Sequence, residues 1–552
     1  MPKPGFDNYL TRHPLVITFL FITLCLLPVM ILRDFTPDNE SRYLQIADEA
    51  IENGNVFAFT LDGEAYADKP PLYLWIVMLC RLVLGRHSMF LLSLFSLVPA
   101  FVIIAVMDRW ADLEKVSDRL AVAFMTMTCA LFLGMSVFLR MDMLMTMFIV
   151  LALRSFWLLY TGSGNRRAQE ILFPLWIFLA LFTKGPVGIL MPIVAIVCFL
   201  LFRRKGRETG RYLGWKTWGI IAGLCVLWFA GVYLDGGKDY LNNLLVHQTV
   251  GRAVNSFHHK APFWYYLAAI WYIVAPYMFL LVGALVFSLC HPERSEGSSD
   301  KEIFFSVTIV STFVMLSLFS AKLAIYLAPV MPFMVLLFVE VLKRTGWRKW
   351  MTWSLAVPAG MVAVLAVGAF MALTLGGKIP KLAALMEPFP FLKAWAVPVA
   401  VLTLLAGFTL ALVCLFKNKP SLSLMFMGAS MLLAVYSAAS VLPQANDWIG
   451  YANLCKTISP EDEVATLYIR RPGPMKVYLG REVIDYQRDF ALFEEKEING
   501  REASGTPLVL VTQSKRLDSD KALGDFVRSR SHWFVGPYCL TKTSLNNNTN
   551  EQ

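Results

Sequence analysis

Carboxylates and cations alternate in the segment that follows the first apolar run of the chain. A carboxylate can act as a general base or bind a metal ion, and a cation can hold a phosphate group. A solvated loop would also explain such charges, but the length of the segment and its prolines favour an ordered structure. The charged residues that open and close the segment are Asp38, Glu40, Arg42, Asp68 and Lys69.

Similar charges recur where other apolar runs end. Lysine and arginine at a membrane boundary are commonly anchors that extend toward water, but this does not explain Asp142, which lies between Met141 and Met143. Ionisable groups near hydrocarbon are costly and are usually functional. The segments concerned are 140–142, 183–186, 247–252, 258–260 and 320–322.

These charges fall into two chemical sets. The carboxylates are Asp38, Glu40, Asp68 and Asp142. The cations are Arg42, Lys69, Lys184, Arg252 and Lys322. A membrane-level site that holds both sets suits phosphate-linked lipid chemistry, because a cation neutralises the lipid phosphate while a carboxylate activates an acceptor hydroxyl.

The composition is that of an integral membrane protein. Of 552 residues, 57% are hydrophobic and only 16% are charged, against about 25% charged in soluble domains. This deficit excludes an ordinary soluble enzyme, a disordered chain and a coiled coil, and the continuous apolar runs exclude a β-barrel. The net charge of +10 comes from Lys and Arg in short loops, so membrane lipids and not nucleic acid are the expected surroundings.

Fourteen apolar stretches are near the length that a bilayer demands. They are 14–32, 71–85, 88–107, 120–139, 143–160, 171–183, 186–202, 217–234, 264–290, 303–319, 323–341, 351–376, 392–416 and 421–441. The first predicts a retained transmembrane helix, because no small-residue cleavage site follows it. Basic loops place segment 33–70 and Arg140 on the same, outward face, which requires an even number of crossings between them. We therefore predict about 13 transmembrane helices, with either 71–85 or 120–139 short or re-entrant.

The composition changes after residue 441. Residues 442–545 predict a small α/β domain on the outward face, a helix over 518–528 and a disordered tail over 546–552. Cys455 and Cys539 are predicted to form a disulfide there, because an outward domain lies in an oxidising compartment. The strand-like runs are 464–469, 476–479, 483–486, 508–512 and 533–540.

Six sequence motifs lie between residues 39 and 329: NESRY, DKPPLYLW, RMD, TKGP, HHKAPFWYY and SAKLAIYLAP. Together they resemble the GT-C glycosyltransferases of the protein-mannosyltransferase superfamily, most closely the bacterial 4-amino-4-deoxy-L-arabinose lipid A transferases. The resemblance implies a mainly α, polytopic inner-membrane enzyme with a periplasmic active site in residues 1–441. It also implies a sugar donor linked to polyprenyl phosphate and an acceptor in the cell envelope.

The resemblance also implies roles for single residues. The family's catalytic Asp falls on Asn39, so Asp38 or Glu40 is the expected base, assisted by Asp142. The implied contacts of the donor phosphate are Arg42, Lys69, Lys184 and Arg252. The implied cavity lining is Tyr43, Tyr66, Lys322 and Tyr326. A divalent metal ion is the one cofactor that the resemblance allows, with Asp68 and His247 as its candidate ligands.

Three functions compete. The first is sugar transfer to lipid A or another envelope glycolipid, and the second is O-glycosylation of Ser or Thr in exported proteins. The third is a lipid or sugar transporter or flippase, a class that typically has pairs of Gly- or Pro-broken helices and a charge relay at mid-membrane. Here the ionisable groups gather on one face, which favours the enzymes.

Overall fold

The computed structural model describes residues 14–245, 260–290, 300–499 and 507–543. Each of the fourteen apolar stretches forms a helix or a pair of helices there, as expected where a backbone in hydrocarbon must satisfy its own hydrogen bonds. Within these residues, nine helices are long and apolar enough to cross a membrane. They are Pro14–Leu32, Met89–Ala111, Met141–Thr161, Trp215–Leu245, Asp300–Leu318, Ala324–Thr345, Lys349–Lys378, Ala396–Phe416 and Pro420–Ala439.

The remaining apolar stretches are shorter, broken or more charged. Val116–Thr128 and Ala130–Val137 meet at a bend of 73°, and three apolar helices have fewer than 18 residues. Helix Arg166–Lys184 carries charges at both ends. The three shorter helices are Leu72–Leu84, Pro186–Phe202 and Met278–Cys290.

Neither of the two stretches suspected from the sequence is a full straight span. Helix Leu72–Leu84 has 13 residues, which reach about 20 Å, whereas the hydrocarbon core is about 30 Å thick. Residues 116–137 are interrupted at Cys129, whose backbone leaves the helical conformation (φ −58°, ψ 129°). The mainly α, polytopic fold is thus confirmed, and the count of 13 crossings stays a prediction.

The segment after the first helix is folded on the end of the bundle. It contains the helix Glu40–Asn53. The helix buries Tyr43, Leu44 and Ala47. A small antiparallel hairpin follows, formed by β1 (Thr60–Leu61) and β2 (Glu64–Ala65).

Hydrogen bonds to the long helix that begins at Trp215 hold this hairpin region. The Asp235 carboxylate accepts from the backbone N–H groups of Val56, Phe57 and Ala58 at 2.9, 2.6 and 2.7 Å. Tyr240 accepts from the N–H of Phe59 at 3.0 Å and donates to the carbonyl of Tyr66 at 2.7 Å. The segment is therefore an ordered part of the protein and not a solvated loop.

A small α/β domain follows the last long helix, as predicted. The strands of its sheet are β3 (Glu463–Leu467), β4 (Ile484–Asp485), β5 (Leu508–Gln513), β6 (His532–Val535) and β7 (Tyr538–Lys542). They have the order β4-β3-β5-β7-β6, with β3 parallel to β4 and β5 and with β7 antiparallel to β5 and β6. The predicted helix is present as Lys521–Arg528, and its N-cap Asp520 accepts from the N–H of Leu523.

Two of the strand predictions need correction. Residues 476–479 lie in the helix Met475–Leu479, because a four-residue alternation fits a single helical turn as well as a strand. Residues 533–540 form two strands instead of one, because Gly536 and Pro537 make the turn between β6 and β7.

The predicted disulfide is wrong. Both cysteines are free and buried. Cys455 packs with Val464 and Val509, whereas Cys539 packs with Leu467 and Leu510. Side chains alternate between the two faces of a strand, so the sheet separates the two thiols.

Candidate active site

Glu40 lies at the start of helix Glu40–Asn53, where it forms a buried ion pair. Its two carboxylate oxygens accept from the guanidinium of Arg33 at 2.6 and 2.7 Å. They also accept from the N–H and hydroxyl of Thr36 at 2.8 and 2.9 Å and from the N–H of Leu139 at 2.8 Å. With Glu40 1% and Arg33 5% exposed, this carboxylate ties three chain segments together and is poorly placed to take a proton from a substrate.

Asp142 and Lys184 meet across two helices. Asp142 lies in the first turn of helix Met141–Thr161 and Lys184 in the last turn of helix Arg166–Lys184, so these two helix ends face each other. The Lys184 ammonium donates to one oxygen of Asp142, and Arg140 lies 3.4 Å from the other. Only 2% of the Asp142 side chain and 9% of the Lys184 side chain are exposed.

Lys69 and Asp68 form the neighbouring pair. Their ammonium and carboxylate atoms are 3.3 Å apart, and the Tyr66 hydroxyl donates to Asp68 at 3.3 Å. Pro70 and Pro71 follow directly, which fixes the chain before helix Leu72–Leu84 begins. Lys69 lies close enough to Lys184 for the two charges to repel each other.

Aromatic rings support the cations of this cluster. The Lys184 ammonium lies 4.7 Å from the centre of the Tyr326 ring. The Arg42 guanidinium lies 5.5 Å from the Tyr43 ring and 5.8 Å from the Tyr66 ring. The buried Nε atom of Arg42 has no hydrogen-bond partner among the described residues.

Asp38 is the most exposed of the predicted carboxylates, with 48% of its side chain accessible. It lies just before helix Glu40–Asn53, and its partners come from the C-terminal domain. Arg470 and Arg471 each place a guanidinium nitrogen 3.3 Å from its carboxylate. Arg471 also donates to its backbone carbonyl at 2.7 Å.

The structure does not gather every predicted residue. Lys322 is 5% exposed, and its ammonium donates to the carbonyls of Ala261 and Phe319 at 3.1 and 2.5 Å. Its ammonium group therefore stabilises the neighbouring backbone. His247 and Arg252 lie outside the described residues. Their predicted roles, as a metal ligand and as a phosphate contact, therefore stay predictions.

Arg33 and Arg471 contact predicted site residues although no sequence pattern indicated them. Arg33 follows the first transmembrane helix directly, where an arginine looks like an ordinary interfacial anchor. Arg471 lies 433 residues from Asp38 in the chain, so no local spacing connects the two. Arg140, by contrast, was visible in the RMD motif as a charge beside Asp142.

Cations outnumber carboxylates in this cluster. It contains the side chains of Arg42, Lys69, Arg140, Lys184, Arg471, Asp38, Asp68 and Asp142. The excess of positive charge at the end of a helix bundle favours an anionic ligand. A phosphate group fits this preference, because several donors can share its oxygens.

The described residues do not by themselves form a metal site. No group of three or more His, Cys, Asp or Glu side chains is placed to hold an ion in residues 14–245, 260–290, 300–499 or 507–543. The Asp68 carboxylate already contacts Lys69 and Tyr66. A metal ion therefore remains a prediction that depends on His247.

The fold is that of a polytopic membrane protein, and it is similar to solved structures. No known protein-family model matches the sequence. Among solved structures, ArnT from Cupriavidus metallidurans bound to undecaprenyl phosphate superposes with a TM-score of 0.72 at 17% identity, over 98% of this chain and 100% of that one. Its apo form gives a TM-score of 0.71, also at 17% identity, over 97% of this chain and 98% of that one. The GT-C fold that the motifs predicted is therefore confirmed.

Several curated relatives are named as arabinosyl transferases. The chain is 28% identical to the undecaprenyl phosphate-alpha-4-amino-4-deoxy-L-arabinose arabinosyl transferase of Erwinia tasmaniensis, over 66% of this chain and 64% of the relative. It is 26% identical to the protein of that name from Pseudomonas aeruginosa strain PAO1, over 53% of each chain. The chain thus matches less than two thirds of the length of these relatives. The similarity to aminoarabinosyl transferases that the motifs indicated is confirmed.

Proposed function

We propose that this protein is a glycosyltransferase that moves a sugar from a polyprenyl-phosphate donor to lipid A or another envelope glycolipid. The observation that carries the proposal is the cluster around Lys69, Lys184 and Asp142, in which buried and half-buried cations lie beside carboxylates at the end of the helix bundle. The relatives named for transfer of aminoarabinose from undecaprenyl phosphate support the same donor class.

The cations stabilise the leaving group. When the sugar C1–oxygen bond breaks, the polyprenyl phosphate keeps the bonding electron pair and gains one negative charge. Lys69 and Lys184 present compact point charges in the cluster, and Arg42 presents a forked donor set. Donors that are already in position when this charge develops accelerate the reaction, because they need no rearrangement in the transition state.

Asp38 is the carboxylate best placed to act as the base. Its side chain is about half exposed. By contrast, Glu40 is paired with Arg33, and Asp142 is buried between Arg140 and Lys184. It takes the proton of the acceptor hydroxyl while the acceptor oxygen forms the new bond to C1. The role of Asp142 in this scheme is to hold the ammonium of Lys184 in place.

The site faces the periplasm in this proposal. The first outward segment, residues 140–142 and the C-terminal domain lie on the same end of the bundle, since Glu40 contacts Leu139 and Asp38 contacts Arg471. Loops at the other end are rich in Lys and Arg, which favours a cytoplasmic location for them. The bacterial inner membrane satisfies this arrangement.

Mass spectrometry of envelope lipids and exported proteins tests the acceptor class. Cells with and without the gene are compared, and a Lys69→Ala allele serves as a control for the presence of the folded protein. We expect a glycolipid that carries one added sugar to disappear in both mutant strains. If a sugar is lost from Ser or Thr of exported proteins instead, the protein is an O-glycosyltransferase. If neither the envelope lipids nor the exported proteins change, the proposal is contradicted.

A further inference from the structure

The loop between β3 and helix Met475–Leu479 carries two arginines from the C-terminal domain to the first outward segment. Arg471 makes two contacts with the same residue. Its Nε lies 3.3 Å from a carboxylate oxygen of Asp38, and a terminal nitrogen donates to the Asp38 carbonyl at 2.7 Å. Two simultaneous contacts fix both the backbone and the side chain of Asp38, which a single surface ion pair does not do.

The Arg471 backbone is itself held in place. Its carbonyl accepts from the hydroxyl of Tyr451 at 3.0 Å, and the Tyr451 ring is buried 5.8 Å from the ring of Tyr538. Two residues later, a Cβ added to Gly473 would come within 2.9 Å of polar atoms of Gln45 and Asp62. The loop therefore packs tightly on helix Glu40–Asn53, and its position is not that of a free surface loop.

The electrostatic setting of Arg471 is unfavourable for a purely structural residue. Burial, followed by the positive charge of Arg42, lowers the pKa of Arg471, and Asp38 acts in the opposite direction. Only 35% of its side chain is exposed. Bringing two guanidinium groups together costs free energy that a neutral donor at position 471 would avoid.

We propose that Arg471 is a positioning residue, which holds Asp38 in the orientation needed to take the proton from the hydroxyl group of the sugar acceptor. This rests on the proposed glycosyl transfer and extends it, because it makes the C-terminal domain a part of the active site. Asp38 belongs to a short non-helical stretch before Glu40 and has no other anchor of comparable geometry in the described residues. Arg470 adds a weaker contact, since 78% of its side chain is in solvent.

The test measures kcat and KM for sugar transfer to lipid A by the full-length protein in detergent, with an undecaprenyl-phosphate-linked sugar as donor. Arg471→Ala is expected to lower kcat about 10- to 100-fold with a donor KM within about twofold, because misplacing a reacting group by about 1 Å has effects of this size. Arg471→Lys is expected to recover part of the loss, since it keeps a charge near Asp38 but cannot reproduce both contacts. Arg528→Ala removes an exposed arginine of the same domain, paired with Asp525, and is the matched control.

A double variant separates positioning from general support of the fold. If Arg471 acts through Asp38, Asp38→Asn combined with Arg471→Ala is no slower than Asp38→Asn alone, because residues that act as a unit are not additive. If the double variant instead shows a loss of kcat equal to the product of the two single losses, the positioning role is overturned. An Arg471→Ala enzyme with wild-type kcat would overturn it as well. If Arg471→Ala does not fold, the same cycle with Arg471→Lys decides.

The two proposals fail in different ways. A wild-type protein that transfers no sugar contradicts the proposed function. A wild-type protein that transfers sugar, together with an Asp38→Asn variant of normal rate, leaves that function intact and overturns only the assignment of Asp38 and Arg471.

Discussion

Replacing Glu40 by Gln separates a structural carboxylate from a catalytic one. The substitution keeps the shape of the side chain and removes its charge, so Arg33 loses its ionic partner. Both side chains are almost fully buried, at 1% and 5% exposure, and water cannot take over the role of the lost carboxylate. We expect Glu40→Gln to lower stability first and activity only as a consequence.

The size of the effect follows from burial. Breaking a buried ion pair by removing one partner costs about 3–5 kcal/mol, because the remaining charge is left uncompensated. The amide oxygen of Gln can still accept from Thr36 or Leu139, which places the expected loss toward the lower end of that range. Asp38→Asn removes an ion pair in which 48% of the Asp38 side chain and 35% of the Arg471 side chain are exposed. Such exposed pairs contribute about 0–1 kcal/mol to the free energy of unfolding.

Thermal unfolding in detergent and sugar transfer, measured on the same samples, distinguish the two carboxylates. Glu40→Gln is expected to unfold well below the wild type and to retain turnover in the fraction that stays folded. Asp38→Asn is expected to unfold near the wild type and to lose about 100-fold or more in kcat, as for a missing general base. A Glu40→Gln protein that unfolds like the wild type but has no turnover would refute this reasoning and make Glu40 the base.

Three further outcomes are expected. Lys69→Ala should lower kcat/KM about 100- to 1,000-fold, whereas the exposed Lys381→Ala should change it less than about twofold, and equal rates would contradict the phosphate contact. Burial raises the pKa of Cys455 to about 12, so its thiol should resist maleimide at pH 8. Because both cysteines are free, a reducing agent should not alter the melting temperature of the protein, and a change in that temperature would indicate a disulfide after all. Gly450→Ala would place a Cβ against the carboxylate of Asp34 and should loosen the C-terminal domain, seen as faster proteolysis of that domain, and unchanged proteolysis would argue against the contact.

The membrane architecture was largely readable from the sequence, because hydrocarbon imposes a length and a composition on each helix. The bent pair over 116–137 was also signalled, since the sidedness of Arg140 conflicted with three full crossings. The angle and position of the bend were not readable, because the backbone there pairs with a distant segment: the N–H of Ala130 donates to the carbonyl of Ala275 at 2.9 Å.

The candidate site was readable only in part. Motifs identified Lys69, Asp142 and Lys184, since each lies where a charged residue meets an apolar run. The sequence left Asp38 and Glu40 as equal candidates for the base. Their different roles depend on burial and on Arg33, and neither is contained in local spacing.

The C-terminal domain shows the same limit. Its α/β character was visible in short strand-like runs, but a four-residue alternation did not distinguish the helix Met475–Leu479 from a strand. The pairing of Cys455 with Cys539 failed because the sheet lies between them, which spacing cannot show. The contact between Arg471 and Asp38 depends on how two distant parts of the chain pack together.

The central claim is tested most directly by incubating the purified protein with lipid A and an undecaprenyl-phosphate-linked aminoarabinose donor, and by identifying the products by mass spectrometry. Lys69→Ala protein in the same detergent is the matched control. We expect lipid A that carries one added sugar, with release of undecaprenyl phosphate, and little product with the variant. Unchanged donor and lipid A in the presence of folded wild-type protein would contradict the central claim.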